Sequence, residues 1–378
     1  MRLVIDDSAA FNQLAGIGRY ARHLVPALMA ARPEWHYDIV YAPDRNAPSS
    51  ARIETVSRLP SGTNIRRLPF SRRRADQLWF RARLPLPIDT FTGRSHAIYS
   101  PDFTCPPSLA SPRFLTIHDL AYLLYPDLTP PALRRYLEPV VARQACTASI
   151  VLTVSEVSRR DVIGHLGIDP ARVAVVSNGV ANDFFDAPPL DAEQRGKLGI
   201  SLPYVLTVGT IEPRKNHRTL FEAMRRIRRD IPHQLVVVGR PGWRGEEIIV
   251  DAADLATGER IRFLHDVDNA MLPSLYASAA ATIYPSWYEG FGLPVLESLA
   301  AGLPTVVSTT SALIEAGGDA INAVAADDTL ALASAIVDAV EPHQGTPERR
   351  EQRRSRARLY SWNRAGLQAA EAIERGLA

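Results

Sequence analysis

The stretch T-I-Y-P-S-W-Y-E-G-F-G-L-P-V-L-E, residues 282–297, constrains the fold more than any other part of the chain. Residues 279–284 form an apolar run closed by Pro285 and Ser286, which reads as a strand buried on both faces of a parallel sheet. Glu289, Gly290, Phe291 and Gly292 then make a tight loop. Residues 293–301 read as a helix with Pro294 in its first turn, where a missing N–H does no harm. Strand, short loop and helix in that order specify an open α/β sheet, which binds ligands beyond the carboxyl ends of its strands. Two carboxylates fall at that edge, Glu289 and Glu297, with seven residues between them. A carboxylate so placed can accept two hydrogen bonds from the vicinal hydroxyls of a ribose or hexose. The loop amides and the helix start suit a phosphate.

At 378 residues the chain suits two domains of similar size, and at 46% hydrophobic and 22% charged each half can bury a core. A net charge of +2 argues against bulk nucleic-acid binding. Of the 43 basic residues all but Lys197 and Lys215 are arginine, a skew of composition rather than of function. Cys105 and Cys146 match no metal-ligand spacing, so a reduced setting is expected. The apolar run at residues 2–5 is too short for a signal-peptide core, and no run reaches spanning length. The expectation is a cytoplasmic protein whose membrane contact, if any, is peripheral.

In the first half, residues 2–6 read as a strand, and Gly16-Ile17-Gly18-Arg19-Tyr20-Ala21 opens a helix reaching about residue 30. That string fits the dinucleotide fingerprint G-x-G-x-x-A, but a loop at 7–15 intervenes and the acid after the second strand is only loosely supplied by Asp44. Two glycines before a helix still let amides approach a phosphate or an acceptor hydroxyl; the alternative is a helix-capping loop. Residues 66–83 interleave arginines with Leu68, Phe70, Leu78, Trp79 and Phe80. This suits a surface for anionic lipid headgroups, or equally an amphipathic helix whose Trp79 face packs inward. Residues 97–100 and 114–117 read as strands, the second ending in His118-Asp119. A single histidine there is most often structural, and Asp119 suits a helix cap. A helix at 133–148, a strand at 149–154, a Ser155-capped helix at 156–166 and a strand at 173–176 lead to Ser177-Asn178-Gly179-Val180. Asn178 either meets a sugar hydroxyl or holds a turn.

The second half opens with a strand at 204–208, then Gly209-Thr210-Ile211-Glu212-Pro213-Arg214-Lys215-Asn216 and a helix from His217. Adjacent cations at a strand–helix junction can neutralise a pyrophosphate and stabilise charge building on it; the alternative is a solvated pair. The strand at 234–239 ends in Arg240-Pro241-Gly242-Trp243, a turn that could wall a nucleobase. His265-Asp266-Val267-Asp268 holds a literal Asp-x-Asp, yet Asp268 stands where a cap for a helix at 269–278 is wanted, so no metal is expected. A strand at 305–307, a helix at 330–340, a polar arginine-rich segment at 342–358 and a last helix from Ser361-Trp362 to 375 complete the chain.

These segments together resemble the retaining, nucleotide-sugar-dependent glycosyltransferases of family 4, with the GT-B fold. The resemblance runs from about residue 16 to 362 through Glu-x7-Glu (Glu289, Glu297), T-I-H-D ending at Asp119, N-G-V from Asn178 and R-K-N from Arg214. It implies two doubly wound parallel-sheet domains facing across a cleft. Residues 1–182 would bind acceptor, 183–201 would link, 202–358 would bind the nucleotide sugar, and 359–378 would return as a helix to the first domain. It further implies that Arg214 and Lys215 grip the diphosphate, Glu297 the ribose, and Glu289 with Gly292 the sugar. Gly209 and the amides of Gly290, Phe291, Gly292 and Leu293 would complete the donor site, and main chain near Val267, beside Arg240, would hold the base. The Gly16–Gly18 loop would close over the diphosphate, and His118 would touch the transferred sugar. The implied catalytic set is His118, Glu289, Arg214 and Lys215, with no cofactor or metal. The implied chemistry is front-face attack, the leaving phosphate taking the acceptor's proton.

The segments G-I-G-R-Y, Y-S-P-D-F and T-I-H-D-L-A-Y look most like bacterial mannosyltransferases using GDP-mannose for O-antigen or exopolysaccharide assembly. The acceptor would be a saccharide, free or linked to a polyprenyl diphosphate. UDP-, ADP- and dTDP-sugars stay open. Two other classes compete: an NAD-dependent oxidoreductase through Gly16 and Gly18, and a sugar-binding protein with a degenerate GT-B fold.

Overall fold

Strands covered on both faces need no polar alternation, and runs such as Leu3-Val4-Ile5 and Val236-Val237 are wholly buried. The structure, a computed structural model, describes residues 1–14, 16–84, 86–201, 203–254, 260–310 and 312–378. Ala15, at the end of the expected first loop, and Leu202, the expected start of the second domain, lie outside the described residues. Among the described residues one sheet contains β1 (Arg2–Asp6), β2 (His36–Tyr41), β3 (Asn64–Arg67), β4 (Ala97–Ser100), β5 (Arg113–Ile117), β6 (Ile150–Thr153) and β7 (Val173–Val175). Their order is β3-β2-β1-β4-β5-β6-β7. A second sheet contains β8 (Tyr204–Val208), β9 (Gln234–Val238), β10 (Ile261–Leu264), β11 (Ala281–Tyr284), β12 (Thr305–Ser308) and β13 (Asn322–Val324), in the order β10-β9-β8-β11-β12-β13. Every pairing described is parallel, so helices must carry each crossover. Each sheet therefore has a point where the winding reverses, between β1 and β4 and between β8 and β11.

The chain divides into two compact units. One gathers residues 1–124, 131–179 and 362–378; the other gathers 125–130 and 180–361. Each has its own core, Val4, Ile98, Leu115 and Val151 among the central residues of the first and Val205, Leu220, Val237 and Ile283 of the second. The last helix, Trp362–Arg375, belongs to the first unit, where Trp362 stacks on His23 at 4.9 Å and Arg32 donates to both Glu374 oxygens at 2.7 and 2.9 Å.

Several local readings change. The arginine-rich stretch begins as the edge strand β3, whose Arg66 and Arg67 are exposed and guard an open edge. It continues as Arg72–Ala75 and a π-helical turn, Asp76–Arg81. Leu68, Trp79 and Phe80 are buried in the first core, and Phe70 packs on it, so the aromatic half of the expected membrane surface faces inward; Arg72 turns in as well, pairing with Asp102 and Asp76, while the other arginines of the stretch stay outside. Inside the expected linker lies a helix, Ala192–Leu198, closed by a reciprocal cap between Asp191 and Gln194 and by left-handed Gly199. The polar segment at 342–358 holds a helix, Pro347–Arg358, with Thr346 capping the Arg349 amide and proline in its first turn. Its Arg353 is buried and donates to the Gly302 and Gln344 carbonyls, a tertiary role that composition hides. The helix expected at 269–278 starts later, as Leu272–Ala277, because Asp268 caps a turn at Ala270 first.

Candidate active site

In the second unit the winding reversal brings two loops side by side. β8 pairs with β11 through Leu206 and Thr282, so the loops that leave these strands, from Gly209 and from Pro285, emerge as neighbours. A 3₁₀ turn, Pro213–Lys215, ends at Asn216, whose left-handed φ of 57° turns the chain into helix His217–Arg226. The Asn216 amide donates to the carbonyls of Pro285 at 3.0 Å and Ala326 at 2.7 Å and accepts from Thr219 at 2.7 Å. The Trp287 amide donates to the Arg214 carbonyl at 2.9 Å. Residues 69 and 110 positions apart are thus fixed against each other.

The side chains meet at Glu289. Lys215 Nζ donates to Oε1 at 2.6 Å, Arg214 Nη1 to Oε2 at 3.0 Å, and Ser286 Oγ to Oε1 at 2.8 Å. Arg214 also donates to the Tyr288 carbonyl at 2.9 Å and to Glu212 Oε1 at 2.8 Å. Burial alone would raise the Glu289 carboxyl; Lys215 and Arg214 outweigh it and hold the group down at about 2. It is a fixed anion between two fixed cations. The structure brings Glu289, Arg214 and Lys215 together, but with the cations already compensated by Glu289 and Glu212 rather than standing open. Glu212 carries no motif signal of its own, and Asn216 enters only as the last letter of R-K-N; the loop juxtaposition shows what they do.

Behind the loop, Gly292 has a φ of 110° and caps helix Leu293–Ala300, and a Cβ there would lie 2.5 Å from Leu313 Cδ2. First-turn amides such as that of Leu293 have no intrahelical acceptor. Phe291 is buried edge-on to Tyr360. Glu297 is 2% exposed and accepts from the Tyr276 hydroxyl at 3.0 Å, which lies 3.0 Å from the Tyr284 hydroxyl. The second carboxylate is therefore part of a buried tyrosine network. The Gly209 amide donates to the Val238 carbonyl at 2.9 Å. Arg240 is exposed and paired with Asp266 at 2.7 Å, while Val267 is half-buried in the turn after β10. Asp266 and Asp268 thus have structural partners, and among the described residues no group of acids, histidines or cysteines could hold a metal ion.

The first unit holds the remaining candidates. His118 follows β5, with one ring nitrogen, Nε2, 3.0 Å from the Pro101 carbonyl, so Nε2 carries the hydrogen and Nδ1 keeps its lone pair. Burial lowers its pKa, and Tyr20 and Phe103 meet the ring edge-on, at 4.7 and 5.7 Å. A neutral acceptor nitrogen suits a hydroxyl, not a phosphate. Asp119 Oδ1 accepts from the Ala121 amide at 2.9 Å and caps the short helix Ala121–Leu124. Asn178 is buried with its Oδ1 unpartnered.

Gly16 is exposed, with a φ of 55°, but Gly18 is buried, and a Cβ on it would come within 2.2 Å of the Gln13 carbonyl oxygen. Packing against the chain's own backbone is by itself a reason for glycine at position 18. Arg22, 1% exposed, donates to the carbonyls of Ala10 at 2.8 Å, Gln13 and Leu14 at 2.5 Å and so holds that loop down.

Two family profiles match the chain: Glycosyltransferase Family 4 over residues 14–184 and Glycosyl transferases group 1 over residues 202–341. The O-antigen chain mannosyltransferase B of Escherichia coli is 27% identical over 385 residues, spanning 99% of this chain and 100% of its own. Among solved structures, sucrose-phosphate synthase from Thermosynechococcus elongatus superposes with a TM-score of 0.77 at 21% identity, covering 99% of this chain and 98% of that one. HepE of Anabaena, in complex with UDP-glucose, gives 0.75 at 17% identity and 99% of each chain. At such identities the likeness carries the fold, two doubly wound parallel-sheet units of the GT-B class. With its first half matching one profile and its second half the other, the chain belongs to the glycosyltransferases of Family 4 and group 1 type, enzymes that transfer a sugar.

Proposed function

We propose that this glycosyltransferase is a retaining mannosyltransferase that draws on GDP-mannose and extends a saccharide, free or carried on a polyprenyl diphosphate, in the assembly of a cell-surface polysaccharide. The observation that carries this reading is the Glu289 cluster: two cations and a carboxylate locked together at the winding reversal of the second sheet. When a donor diphosphate enters, Arg214 and Lys215 exchange part of their hold on Glu289 for phosphate oxygens, and the carboxylate turns to the sugar hydroxyls. Full-length similarity to an O-antigen mannosyltransferase supports the choice of mannose.

In the proposed reaction the glycosidic C–O bond to the diphosphate breaks as an acceptor hydroxyl forms the new bond on the same face. The leaving phosphate oxygen takes the hydroxyl proton. Arg214 and Lys215 stabilise the charge gathering there, Glu297 and the loop amides hold the nucleotide, and His118 Nδ1 accepts from a sugar hydroxyl. No cofactor or metal has a step. Peripheral contact with an anionic membrane through the arginines at 66–83 is part of the same reading.

A thermal-shift screen with GDP-mannose, UDP-, ADP- and dTDP-sugars and NAD tests it, because a ligand bound only to the native state raises the melting point. GDP-mannose should give the largest rise, and product from an acceptor saccharide should retain the α configuration. A larger rise with another nucleotide sugar, or an inverted product, would overturn the reading. The oxidoreductase alternative falls to the glycosyltransferase profiles that match both halves of the chain.

A further inference from the structure

The first unit contains a cavity of about 460 Å³ lined by none of the residues placed in the reaction. One wall is the end of the π-helical turn Asp76–Arg81 with Arg83 beyond it; the other is a face of helix Pro131–Thr147. Four arginines line it, Arg81, Arg83, Arg135 and Arg143. The floor is apolar, with Phe80 and Val140 buried at 3% and 4% exposure. Among the described residues no carboxylate lines it and none of the four arginines is in an ion pair. The two acids on the flanking elements are engaged elsewhere, Asp76 with Arg72 at 3.3 Å and Glu138 with Arg134 at 3.6 Å. Arg81 lies over the Tyr136 ring at 5.1 Å, which fixes it while leaving its N–H edge to donate. Arg83 holds a left-handed φ of 56°, a conformation a bulky residue seldom adopts.

Four unneutralised guanidiniums around an apolar floor match one ligand chemistry, a phosphate joined to hydrocarbon. The charge selects a phosphate, since guanidinium N–H groups fork onto its oxygens. The apolar floor has no use in binding a free anion. Leu84 and Leu133, each next in sequence to a lining residue, are 46% and 44% exposed and extend the apolar surface outward. We infer that this cavity is a binding site for the phosphate of a lipid, its first methylenes lying on Phe80 and Val140. The inference deepens the peripheral-contact part of the proposed function, narrowing the contact from the arginines at 66–83 to this cavity, and does not depend on the identity of the donor.

Sedimentation of the full chain with phosphatidylcholine vesicles, with and without phosphatidic acid, tests it. The first variant replaces three rim residues, Arg81→Gln, Arg135→Gln and Arg143→Gln; the second, Ala132→Glu, puts a carboxylate on the exposed cavity wall without touching the core. A control replaces Arg228 and Arg229 of the second unit by glutamine, removing charge elsewhere. The chain should bind phosphatidic-acid vesicles. At about fivefold per arginine, the triple variant should lose on the order of 100-fold, and Ala132→Glu should also bind weakly. The control should bind like the wild type, and all variants should keep the wild-type melting point. Unaltered binding by both variants would overturn the assignment, as would full displacement of the vesicles by millimolar inorganic phosphate, which marks a free-anion site. Absence of wild-type binding would remove the membrane contact altogether, while donor turnover on a soluble acceptor, measured in parallel, reports separately on the proposed reaction.

Discussion

Glu289 shows how a residue's chemistry depends on what the chain folds beside it. A carboxylate in so dry a place would normally keep its proton, but Lys215 and Arg214 hold it ionised, down to about 2. Because the folded value lies below the ordinary 4.5, the stabilisation is complete above pH 4.5 and is lost as the pH falls toward about 2. Linkage sets its size at about 3 kcal/mol. Glu289→Gln should therefore be less stable than the wild type at neutral pH, with the gap closing in acid. Urea midpoints at several pH values check this, and a gap indifferent to pH would mean that the cations do not hold the carboxylate. At this scale the sequence was legible in part. Glu289, Arg214 and Lys215 could be named from their positions at strand ends. Their mutual neutralisation could not, because it depends on side chains meeting across two loops.

Between elements the decisive residue is Asn216. Its short amide turns the chain through a left-handed φ and ties the loop after β8 to the loop after β11 and to Ala326. Asn216→Ala removes three hydrogen bonds and leaves two buried carbonyls without this donor, a cost of about 1–3 kcal/mol. It should also slacken the Arg214–Glu289 geometry. A lower melting point together with weaker donor binding is the expected pair of results; a melting point unchanged from wild type would show that the clamp is dispensable. Capped helices such as Ala192–Leu198 and Pro347–Arg358 carried readable signals, Asp191 with Gln194 and Thr346 before proline. Polar composition masked them, because these helices bury little apolar surface of their own. Gly18 reads two ways in sequence: a glycine demanded by the nearby Gln13 carbonyl looks the same as one kept open for a ligand.

For the whole molecule, the first unit is built from three separate pieces of chain, the last being residues 362–378. Helix Trp362–Arg375 lays Ala365, Ala369, Ala370 and Ile373 inward, and Gly366 lets it approach helix Ile17–Ala31 so closely that a Cβ would meet the Ala27 backbone at 2.4 Å. Removing residues 362–378 should destabilise the first unit by on the order of 5 kcal/mol, from the apolar area uncovered, and leave the second unit's stability unchanged. Calorimetry should then show an early transition for one unit and a wild-type transition for the other. A single unshifted transition would mean that the helix contributes nothing.

The sequence by itself determined the class of architecture. Apolar runs of strand length alternating with helix starts permit little besides parallel sheets wound on both faces, and two cores follow from the length. Caps, turns and the carboxylates and cations at strand ends are local, so they too could be read from neighbouring residues. Strand order is not local. It places β8 beside β11, 73 positions of chain apart at Val208 and Ala281, and only then do Arg214, Lys215 and Glu289 share one site. The same holds for Trp79 and Phe80, which any amphipathic reading could send outward. The packing of the first core takes them in and leaves arginines around the cavity above them, because a buried ring gains from contact with apolar neighbours while a guanidinium must stay solvated or find an anion.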